Sequence, residues 1–336
     1  MTSSSKLALP DAPRLLIARP DRVGDVIVAT SCIAPIRQRF PRGELHFYAA
    51  ERMRPLLEHH PALTGFVSSP EEIEKLGADV VVHLHPDRAC YTAAYRGRVR
   101  VRVGYRVRFL NRYLTQSLVD RRFEGLQHEA GYNFDLLQVI GVSRPATLSP
   151  NVHLSGAARD SLRAKLPWPL ESTPFAVLNP SAHSLVARWT VEYFLRLADR
   201  LQKDLGLLPV VIGAHAADSI PSGATRILNL AGQTDLAELG WLLKHARVSV
   251  TRDTGPSHLA AAVGCPVVVI FGRTEPMYGP TRWRPLTDKA VIVAKFIPRK
   301  RWESRNRYWQ RCFAEISVEE VQAAVQQALR LQHPAT

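Results

Sequence analysis

The segment TRDTGPSHLAAAVGCPVVVIFG, residues 251–272, carries the residues with the clearest chemical potential. Its DTG triplet at 253–255 predicts a tight turn between a strand and a helix, because glycine accepts unusual backbone angles and Pro256 favours the first turn of a helix. The amide groups and the positive dipole end of such a helix bind anions, so the turn suits a diphosphate. The same residue types leave two alternatives open, which are helix capping for the Asp and Thr of the triplet and a hydrogen-bonded core position for His258.

Positive charge is concentrated in two zones of the chain. The net charge is +14, and residues 88–122 hold ten Arg against one acid, while residues 295–311 hold seven Lys or Arg against one acid. The rest of the chain is nearly neutral, so the zones indicate an anionic partner such as a phosphorylated lipid surface or nucleic acid. A solvated charged face is the alternative for either zone. In the first zone Arg98, Arg100 and Arg102 alternate with valines, which predicts that they share one face of a strand.

The second zone mixes its cations with Trp302, Tyr308 and Trp309, a composition typical of membrane-interface surfaces. We therefore expect contact with an anionic membrane surface. Basic residues with aromatics also bind RNA, so a non-catalytic RNA-binding protein is the competing class. Nothing resembling an RNA-recognition motif accompanies the charge, and no nucleic-acid partner is expected.

Several common kinds of site lack their sequence marks. The chain has no Walker sequence and no GxGxxG, which argues against ATP hydrolysis and dinucleotide binding, and no Asp-x-Asp pair, which argues against a metal-bridged diphosphate. The four cysteines form no CxxC pair, and His83 with His85 lacks a third ligand, so we expect neither a metal nor a cofactor. No apolar stretch is long enough for a signal peptide or a membrane span, which predicts a cytoplasmic protein.

The elements that must position these residues alternate between strand and helix. Strands are predicted at 14–18, 45–49, 79–84, 98–105, 175–179, 208–213, 226–230, 247–251 and 266–272. Helices are predicted at 26–39, 51–58, 87–95, 126–140, 190–205, 234–245 and 256–263, and a capping box of Ser317 with Glu320 opens a final helix. The alternation predicts mainly parallel sheets, and proline-rich stretches at 143–150 and 167–174 separate two lobes of similar design.

Several motifs also stand in a recognisable order. DTGPSHLAAAVGCPVVVIFG is followed by Thr274, Pro276 and Gly279-Pro280, and RPDRVGDVIVATSCIAPIRQRFP opens the chain with a Gly-Asp turn. Between and after them come RVGYR, HEAGYNFDLLQVIGV, NPSA, the helix start at Trp189 and CFAEISVEEVQAAV. Over about residues 13–330 this series resembles glycosyltransferase family 9, the lipopolysaccharide heptosyltransferases.

The resemblance implies an α/β fold of GT-B architecture, two Rossmann-like parallel-sheet domains facing a cleft, with the acceptor held by the first domain and the donor by the second. It implies that Asp25 is the catalytic base, which takes the acceptor hydroxyl proton during displacement with inversion. Capping of a helix that starts at Val26 is the alternative role of Asp25. The residues assigned to the donor are Ser181, His183, Arg188, Thr234, Asp253, Thr254, Gly255 and His258. The residues assigned to the acceptor, a phosphorylated lipid A or core sugar, are Gly24, Arg98, Arg100 and Arg102.

The chain departs from the family pattern at one position near the donor. The best-known members place a phosphate-contacting Lys two residues before the Trp, and this chain has Ala187 there. Arg188 is the expected replacement as a bidentate phosphate partner, with Ser181 and His183 as alternative donors. A surface salt bridge is the alternative role of Arg188.

We therefore predict metal-independent, inverting transfer of a heptose from ADP-heptose to the inner core of lipopolysaccharide, at the cytoplasmic face of the inner membrane. The alternatives are another nucleotide-sugar enzyme of the same fold, with a different donor or an epimerase reaction, and the RNA-binding protein. The predicted domains are 1–160 for the acceptor, 161–316 for the donor, and a closing helix at 317–336, with packing back toward the N-terminal domain as one arrangement.

Overall fold

The computed structural model describes residues 7, 9–181, 189–213 and 226–332. The chain divides into two compact units, Met1–His153 and Leu154–Thr336. The predicted boundary after residue 160 falls inside a helix, Gly156–Lys165, that belongs to the second unit. Each unit has its own sheet and its own core.

The first unit alternates strands and helices. Its strands are Arg14–Ala18 (β1), Glu44–Tyr48 (β2), Gly65–Val67 (β3), Val80–His83 (β4), Val101–Tyr105 (β5) and Gln116–Leu118 (β6). Its helices are Val23–Ala29 (α1), Ile33–Arg39 (α2), Arg54–Leu57 (α3), Pro70–Lys75 (α4), Arg88–Arg96 (α5) and Glu129–Gln138 (α6), with 3₁₀ turns at Thr30–Cys32, Glu51–Met53, Asn111–Tyr113 and Arg122–Glu124.

The second unit repeats this design. Its strands are Phe175–Asn179 (β7), Leu208–Val211 (β8), Leu228–Asn229 (β9), Val248–Arg252 (β10), Val267–Phe271 (β11) and Ala290–Ala294 (β12). Its helices are Gly156–Lys165 (α7), Val191–Leu205 (α8), Leu236–His245 (α9), Gly255–Ala262 (α10), Pro280–Trp283 (α11), Arg305–Ala314 (α12) and Val318–Gln332 (α13).

Both sheets are parallel and have the same strand order. The first runs β3-β2-β1-β4-β5-β6 and the second runs β12-β11-β10-β7-β8-β9. In each sheet the chain winds outward from its first strand, returns beside it and winds the other way, so the order reverses between β1 and β4 and between β7 and β10. Open sheets of this kind bind ligands at that reversal, outside the carboxyl ends of the strands.

Local sequence explains most of these elements. β1 and β7 are almost fully buried, as apolar runs in a parallel sheet covered on both faces are. In α8 the buried residues recur at helical spacing, from Val191 to Leu201, and Gly206 ends the helix at a φ of 63°. The capping box predicted for the final helix is confirmed, because the Ser317 amide donates to Glu320 and the Glu320 amide donates to the Ser317 hydroxyl.

The predicted strands and helices are confirmed with small shifts, apart from two stretches. In the stretch at 98–105, β5 begins only at Val101. The helix predicted at 26–39 is two helices, α1 and α2, joined by the 3₁₀ turn Thr30–Cys32. α13 packs on α8 and on β10, β11 and β12, and its Val321 and Val325 belong to the core of the second unit. All four cysteines are buried as free thiols. Within the described residues, no helix combines the length and apolar character needed to cross a bilayer.

Candidate active site

Asp25 lies in the first turn of α1, just beyond the carboxyl end of β1 and therefore at the strand-order reversal of the first sheet. The helix begins at Val23, so the predicted start at Val26 was wrong, and the N-cap residue is Arg22, which makes no side-chain cap. The capping alternative for Asp25 therefore fails. Gly24 is buried in the same turn.

The carboxylate of Asp25 is held by the fully buried Arg19. Arg19 Nη2 donates to Asp25 Oδ1 at 2.5 Å, and Arg19 Nε donates to Asp21 Oδ1 at 2.7 Å. Arg19 Nη1 donates to Glu129 Oε1 at 2.9 Å, to Asn133 Oδ1 at 3.2 Å and to the Leu84 carbonyl at 3.2 Å. One guanidinium therefore joins β1, α1, the loop after β4 and α6, and it fixes the orientation of the Asp25 side chain.

Burial raises the pKa of Asp25 from its ordinary 3.8 to about 7. The Arg19 guanidinium lowers this pKa, while the neighbouring carboxylates of Asp21 and Glu129 raise it further. The Asp21 pKa moves the other way: burial raises it, but Arg19 and His85 outweigh burial and lower it overall. One carboxylate of the network is therefore a moderately strong base near neutral pH, and its neighbour stays ionised.

The two histidines of the HLH sequence have separate environments. His83 is fully buried against the ring of Tyr91, with centroids 4.6 Å apart, and burial lowers its pKa to about 3. His85 is partly exposed, and its Nδ1 lies 3.4 Å from Asp21 Oδ2. Across the part of the chain that the structure describes, no group of three or more His, Cys, Asp or Glu side chains is arranged to hold a metal ion.

In the second unit, the DTG turn lies at the carboxyl end of β10, again at the strand-order reversal. Asn179, at the end of β7, joins the two neighbouring strands: its Nδ2 donates to the hydroxyls of Thr251 at 3.2 Å and Thr254 at 3.1 Å, and its Oδ1 accepts from the Ser181 amide at 3.2 Å. Thr254 occupies the N-cap position of α10 but its side chain makes no cap bond and donates instead to the Arg252 carbonyl. The capping alternative therefore does not hold for the Thr254 side chain.

Three further donor candidates lie in the helix after this turn or at the neighbouring end of β7. Gly255 is the first residue of α10, and His258 is buried in that helix with its ring edge-on to Trp283 at 6.5 Å. Among the described residues the buried Ser181 hydroxyl has no hydrogen-bond partner, and it packs on Gly213, where an added Cβ would lie 1.7 Å from it. A buried hydroxyl of this kind at a strand end is available to a polar ligand.

Arg273 is a cation of this site that the sequence analysis missed. It follows β11, and its Nη2 donates to Asp253 Oδ2 at 2.8 Å. Its guanidinium lies 5.6 Å from the ring centroid of Tyr278 and 5.7 Å from that of Trp309. The signal was visible as the only basic residue in the string GRTEPMYGP, directly before the Thr274 of the family motif.

Other assigned donor residues are not placed at this turn. Thr234 precedes α9 and follows β9, the outer strand of the sheet, so β7 and β8 separate it from β10. His183, Ala187 and Arg188 lie outside the described residues. Trp189, which follows them, is fully buried and donates from Nε1 to the Ile316 carbonyl at 2.9 Å.

The three arginines assigned to the acceptor do not share a strand face, so that prediction was wrong. Arg98 lies in a turn with a φ of 52°, Arg100 precedes β5, and only Arg102 is in the strand. They line one open groove of ≈ 670 Å³, but at the amino end of β5, whereas Asp25 follows the carboxyl end of β1 in the same parallel sheet. Arg102 also donates to the carbonyls of Tyr113 and Val99, a structural role.

The aromatic residues of the second basic zone also separate. Trp302 is 89 % exposed, as an interfacial residue should be. Tyr308 is buried with its hydroxyl 3.0 Å from that of Thr274, and Trp309 donates to Glu275 Oε2 at 2.7 Å. The predicted interfacial role of Tyr308 and Trp309 was therefore wrong, because both pack around the loop that carries Arg273.

Comparisons with known proteins identify the family of the chain and support its fold. The family profile "Glycosyltransferase family 9 (heptosyltransferase)" matches residues 81–309. The chain is similar to lipopolysaccharide heptosyltransferase 3 of Escherichia coli K12, with 30% identity over 166 residues, 46% of each protein, so it spans about half the length of that relative. It is similar to lipooligosaccharide heptosyltransferase 2 of Haemophilus ducreyi, with 25% identity over 83% of this chain and 88% of that one. The solved structure of E. coli ADP-heptose LPS heptosyltransferase II has a TM-score of 0.78 at 20% identity, covering 96% of this chain and all of that one, which confirms the α/β fold with two parallel-sheet units.

Proposed function

The chain belongs to glycosyltransferase family 9, and from this premise we propose that it transfers a heptose from ADP-heptose to the inner core of lipopolysaccharide, with inversion at the anomeric carbon. The names of its relatives support the acceptor, and the description of the E. coli structure supports the donor. The observation that carries the proposal is the buried Asp25 carboxylate, with a pKa of about 7, at the strand-order reversal of the first sheet.

Asp25 acts as the general base of this proposal. Its carboxylate accepts the proton of the acceptor hydroxyl while the hydroxyl oxygen attacks the anomeric carbon of the heptose. A base whose pKa lies near the working pH is ionised often enough to act and still holds the proton well, and such a group typically contributes about 10² to 10⁴-fold. Arg19 is a positioning residue, because it aims the carboxylate and limits the rise of its pKa.

The bond between the anomeric carbon and the diphosphate oxygen breaks as the new bond forms, and ADP leaves with added negative charge. The amide groups at the start of α10 face that charge in the proposal, with Thr254, Gly255 and the Ser181 hydroxyl around it. We assign the missing family cation to Arg273, which Asp253 holds beside this helix start. Asp253 orients the Arg273 guanidinium and balances its charge. Guanidinium N–H groups and helix-start amides are both donors that bind phosphate, and this favours a phosphate there. The proposal gives no step to a metal ion.

Peripheral attachment to the cytoplasmic face of the inner membrane is part of the proposal. The zone at 295–311 exposes Arg299, Lys300 and Arg301 around the exposed Trp302, and each such cation near an anionic leaflet is worth about 1 kcal/mol. Reversing the charge of the three cations should abolish binding to anionic liposomes. Unchanged binding would remove this zone from the proposal.

The reaction is tested by following ADP release from ADP-heptose with and without a defined truncated core acceptor, and by measuring the mass of the product by mass spectrometry. Release that depends on the acceptor, in the presence of a metal chelator, supports metal-independent transfer. Release or isomerisation without acceptor would indicate an epimerase or hydrolase of the same fold. Asp25→Asn should abolish transfer and leave ADP binding intact, and normal turnover by that variant would contradict the assignment of the base.

A further inference from the structure

Four large apolar side chains of the first unit face solvent between residues 106 and 126. Their exposed fractions are 72 % for Phe109, 61 % for Val119, 63 % for Phe123 and 76 % for Leu126. Val119 and Leu126 line one open cavity of ≈ 470 Å³. So many exposed apolar side chains in one short stretch indicate an interaction surface rather than scattered surface variation.

Phe109 is held in water by a backbone conformation that bulky residues rarely adopt. Its φ is 67°, in the left-handed region, and the Arg108 guanidinium lies over its ring at 4.7 Å from the centroid. The same arrangement recurs in the second unit, where Trp302 has a φ of 62° and carries the Arg301 guanidinium at 5.3 Å. Strained residues that persist in a fold are concentrated at sites of function. Phe109 and Trp302 each expose an aromatic ring with a guanidinium over one face.

The same stretch of the first unit is positively charged at its surface. Its exposed cations are Arg106, Arg108, Arg112 and Arg121. The acids are fewer and engaged: Asp120 accepts from Arg122 at 2.6 Å, and Glu124 lies 3.9 Å from Arg121. Arg112 lies in the 3₁₀ turn Asn111–Tyr113, which leads to the amino end of β6. We call Arg106, Arg108, Arg121 and the four exposed apolar side chains the arginine–apolar surface.

This surface lies at the same sheet edge as the proposed base. Phe109 is in the loop that follows the carboxyl end of β5, Val119 follows the carboxyl end of β6, and Leu126 precedes α6. Asp25 follows the carboxyl end of β1, and the strands of this sheet are parallel. Whatever binds the arginine–apolar surface therefore meets the edge of the sheet that carries Asp25.

We propose that the arginine–apolar surface docks the first unit on an anionic lipid bilayer. Arginines paired with aromatic and aliphatic side chains match the two layers of a membrane interface, anionic headgroups above and acyl chains below. RNA fits less well, because the aliphatic Val119 and Leu126 cannot stack on bases and Arg108 already covers one face of Phe109. Docking turns the Asp25 edge toward a lipid-anchored acceptor, and this last point rests on the proposed function.

The proposal is tested by sedimentation of the full chain with vesicles of phosphatidylcholine alone and of phosphatidylcholine with phosphatidylglycerol. Arg106→Gln and Arg108→Gln should each weaken binding to the anionic vesicles about fivefold. Phe109→Gly with Leu126→Ser should weaken it roughly tenfold or more, since both side chains lose their burial in lipid. Glycine relieves the strain at position 109, so Phe109→Gly alone should keep or raise the melting temperature, which excludes unfolding as the cause of lost binding.

A matched control uses Arg39→Gln with Arg42→Gln, exposed arginines of the same unit that lie between the end of α2 and the amino end of β2. This variant should bind anionic vesicles as the parent protein does. An equal loss in the control, or unchanged binding of Phe109→Gly with Leu126→Ser, would overturn the proposal. So would loss of binding to an RNA oligonucleotide in the docking variants while their vesicle binding persists.

Transfer to a soluble, deacylated acceptor separates this proposal from the proposed function. The docking variants should transfer to that acceptor at the parent rate, and Asp25→Asn should bind vesicles normally while losing transfer. Vesicle binding without any transfer by the parent protein would keep the docking surface and remove the proposed function. Transfer by the parent protein, together with vesicle binding that the docking variants leave unchanged, would keep the proposed function and remove the docking surface.

Discussion

Asp25→Asn should make the first unit more stable at pH 8 while it removes activity. Burial raises the pKa of Asp25 from 3.8 to about 7, so ionising this carboxyl opposes folding. At about 1.36 kcal/mol per pH unit, the rise corresponds to roughly 4 kcal/mol above pH 7. The penalty shrinks as the pH falls and is absent below about pH 4, where the carboxyl is protonated in the folded and unfolded chain alike. Asparagine never ionises, so the variant should gain stability at pH 8 and match the parent at pH 4.

Asp21→Asn is the matched control, because it changes the same network with the opposite sign. The Asp21 pKa is lowered overall, since Arg19 and His85 outweigh the effect of burial. An ionised carboxyl of this kind stabilises the folded chain above its ordinary pKa, and that stabilisation is lost as the pH falls. Asp21→Asn should therefore be less stable than the parent at pH 8, and the difference should narrow on acidification.

Urea unfolding between pH 4 and pH 8 measures both effects, and the sequence supplies a way to tell the units apart. All six tryptophans lie in the second unit, so tryptophan fluorescence reports that unit, and circular dichroism reports both. The changes in stability should appear only in the unfolding of the first unit, which circular dichroism detects and tryptophan fluorescence does not. Equal stability of Asp25→Asn and parent at pH 8, or a gain that persists at pH 4, would refute the reasoning. Retained transfer by Asp25→Asn would refute the assignment of Asp25 as the base.

Two further predictions concern the second unit. Arg273→Gln should weaken ADP binding by roughly 10 to 100-fold in calorimetry, because a charge-assisted hydrogen bond is lost. Arg305 lies over the same aromatic rings but lacks the bond to Asp253, so Arg305→Gln should have a smaller effect. Equal losses in the two variants would contradict the assignment of Arg273. Gly213→Ala should lower the free energy of unfolding of the second unit, measured by urea titration with tryptophan fluorescence, by at least about 1 kcal/mol. The φ of Gly213 is 133°, and a Cβ there would lie 1.7 Å from the Ser181 hydroxyl. An unchanged free energy of unfolding with normal ADP affinity would contradict this prediction.

The architecture and the donor turn could be predicted from the sequence because both depend on local signals. Apolar runs such as 14–18 and 175–179 are strands as predicted, and the DTG triplet stands at the strand-to-helix turn. The start of α1 was misplaced because Gly24 reads as a turn residue, although it is buried inside the first turn. The alternation of Arg98, Arg100 and Arg102 was misleading because a turn at Arg98 delays the strand to Val101.

The tuning of the site could not be predicted, because it depends on contacts between distant residues. Glu129 stands 110 positions from Arg19, and no spacing rule joins them. Burial is the main cause of the raised pKa of Asp25, and the charges of Arg19, Asp21 and Glu129 adjust it. Arg273 was visible as a residue, but its pairing with Asp253 exists only where β10 and β11 end side by side. A sequence shows which charged groups are present, but not which of them lie close enough to shift each other's pKa.

The long reach of Arg19 has a consequence for how the protein becomes active. A growing chain exposes Asp25 early, as an ordinary surface carboxyl with an ordinary affinity for protons, and α6 is made much later. Only when α6 packs on α1 does Glu129 pair with the Arg19 guanidinium and do burial and the nearby charges raise the pKa of Asp25, the proposed base. A partly synthesised or nicked first unit would contain Asp25 with an ordinary pKa. The proposed base would therefore reach its raised pKa only when the fold of the first unit is complete.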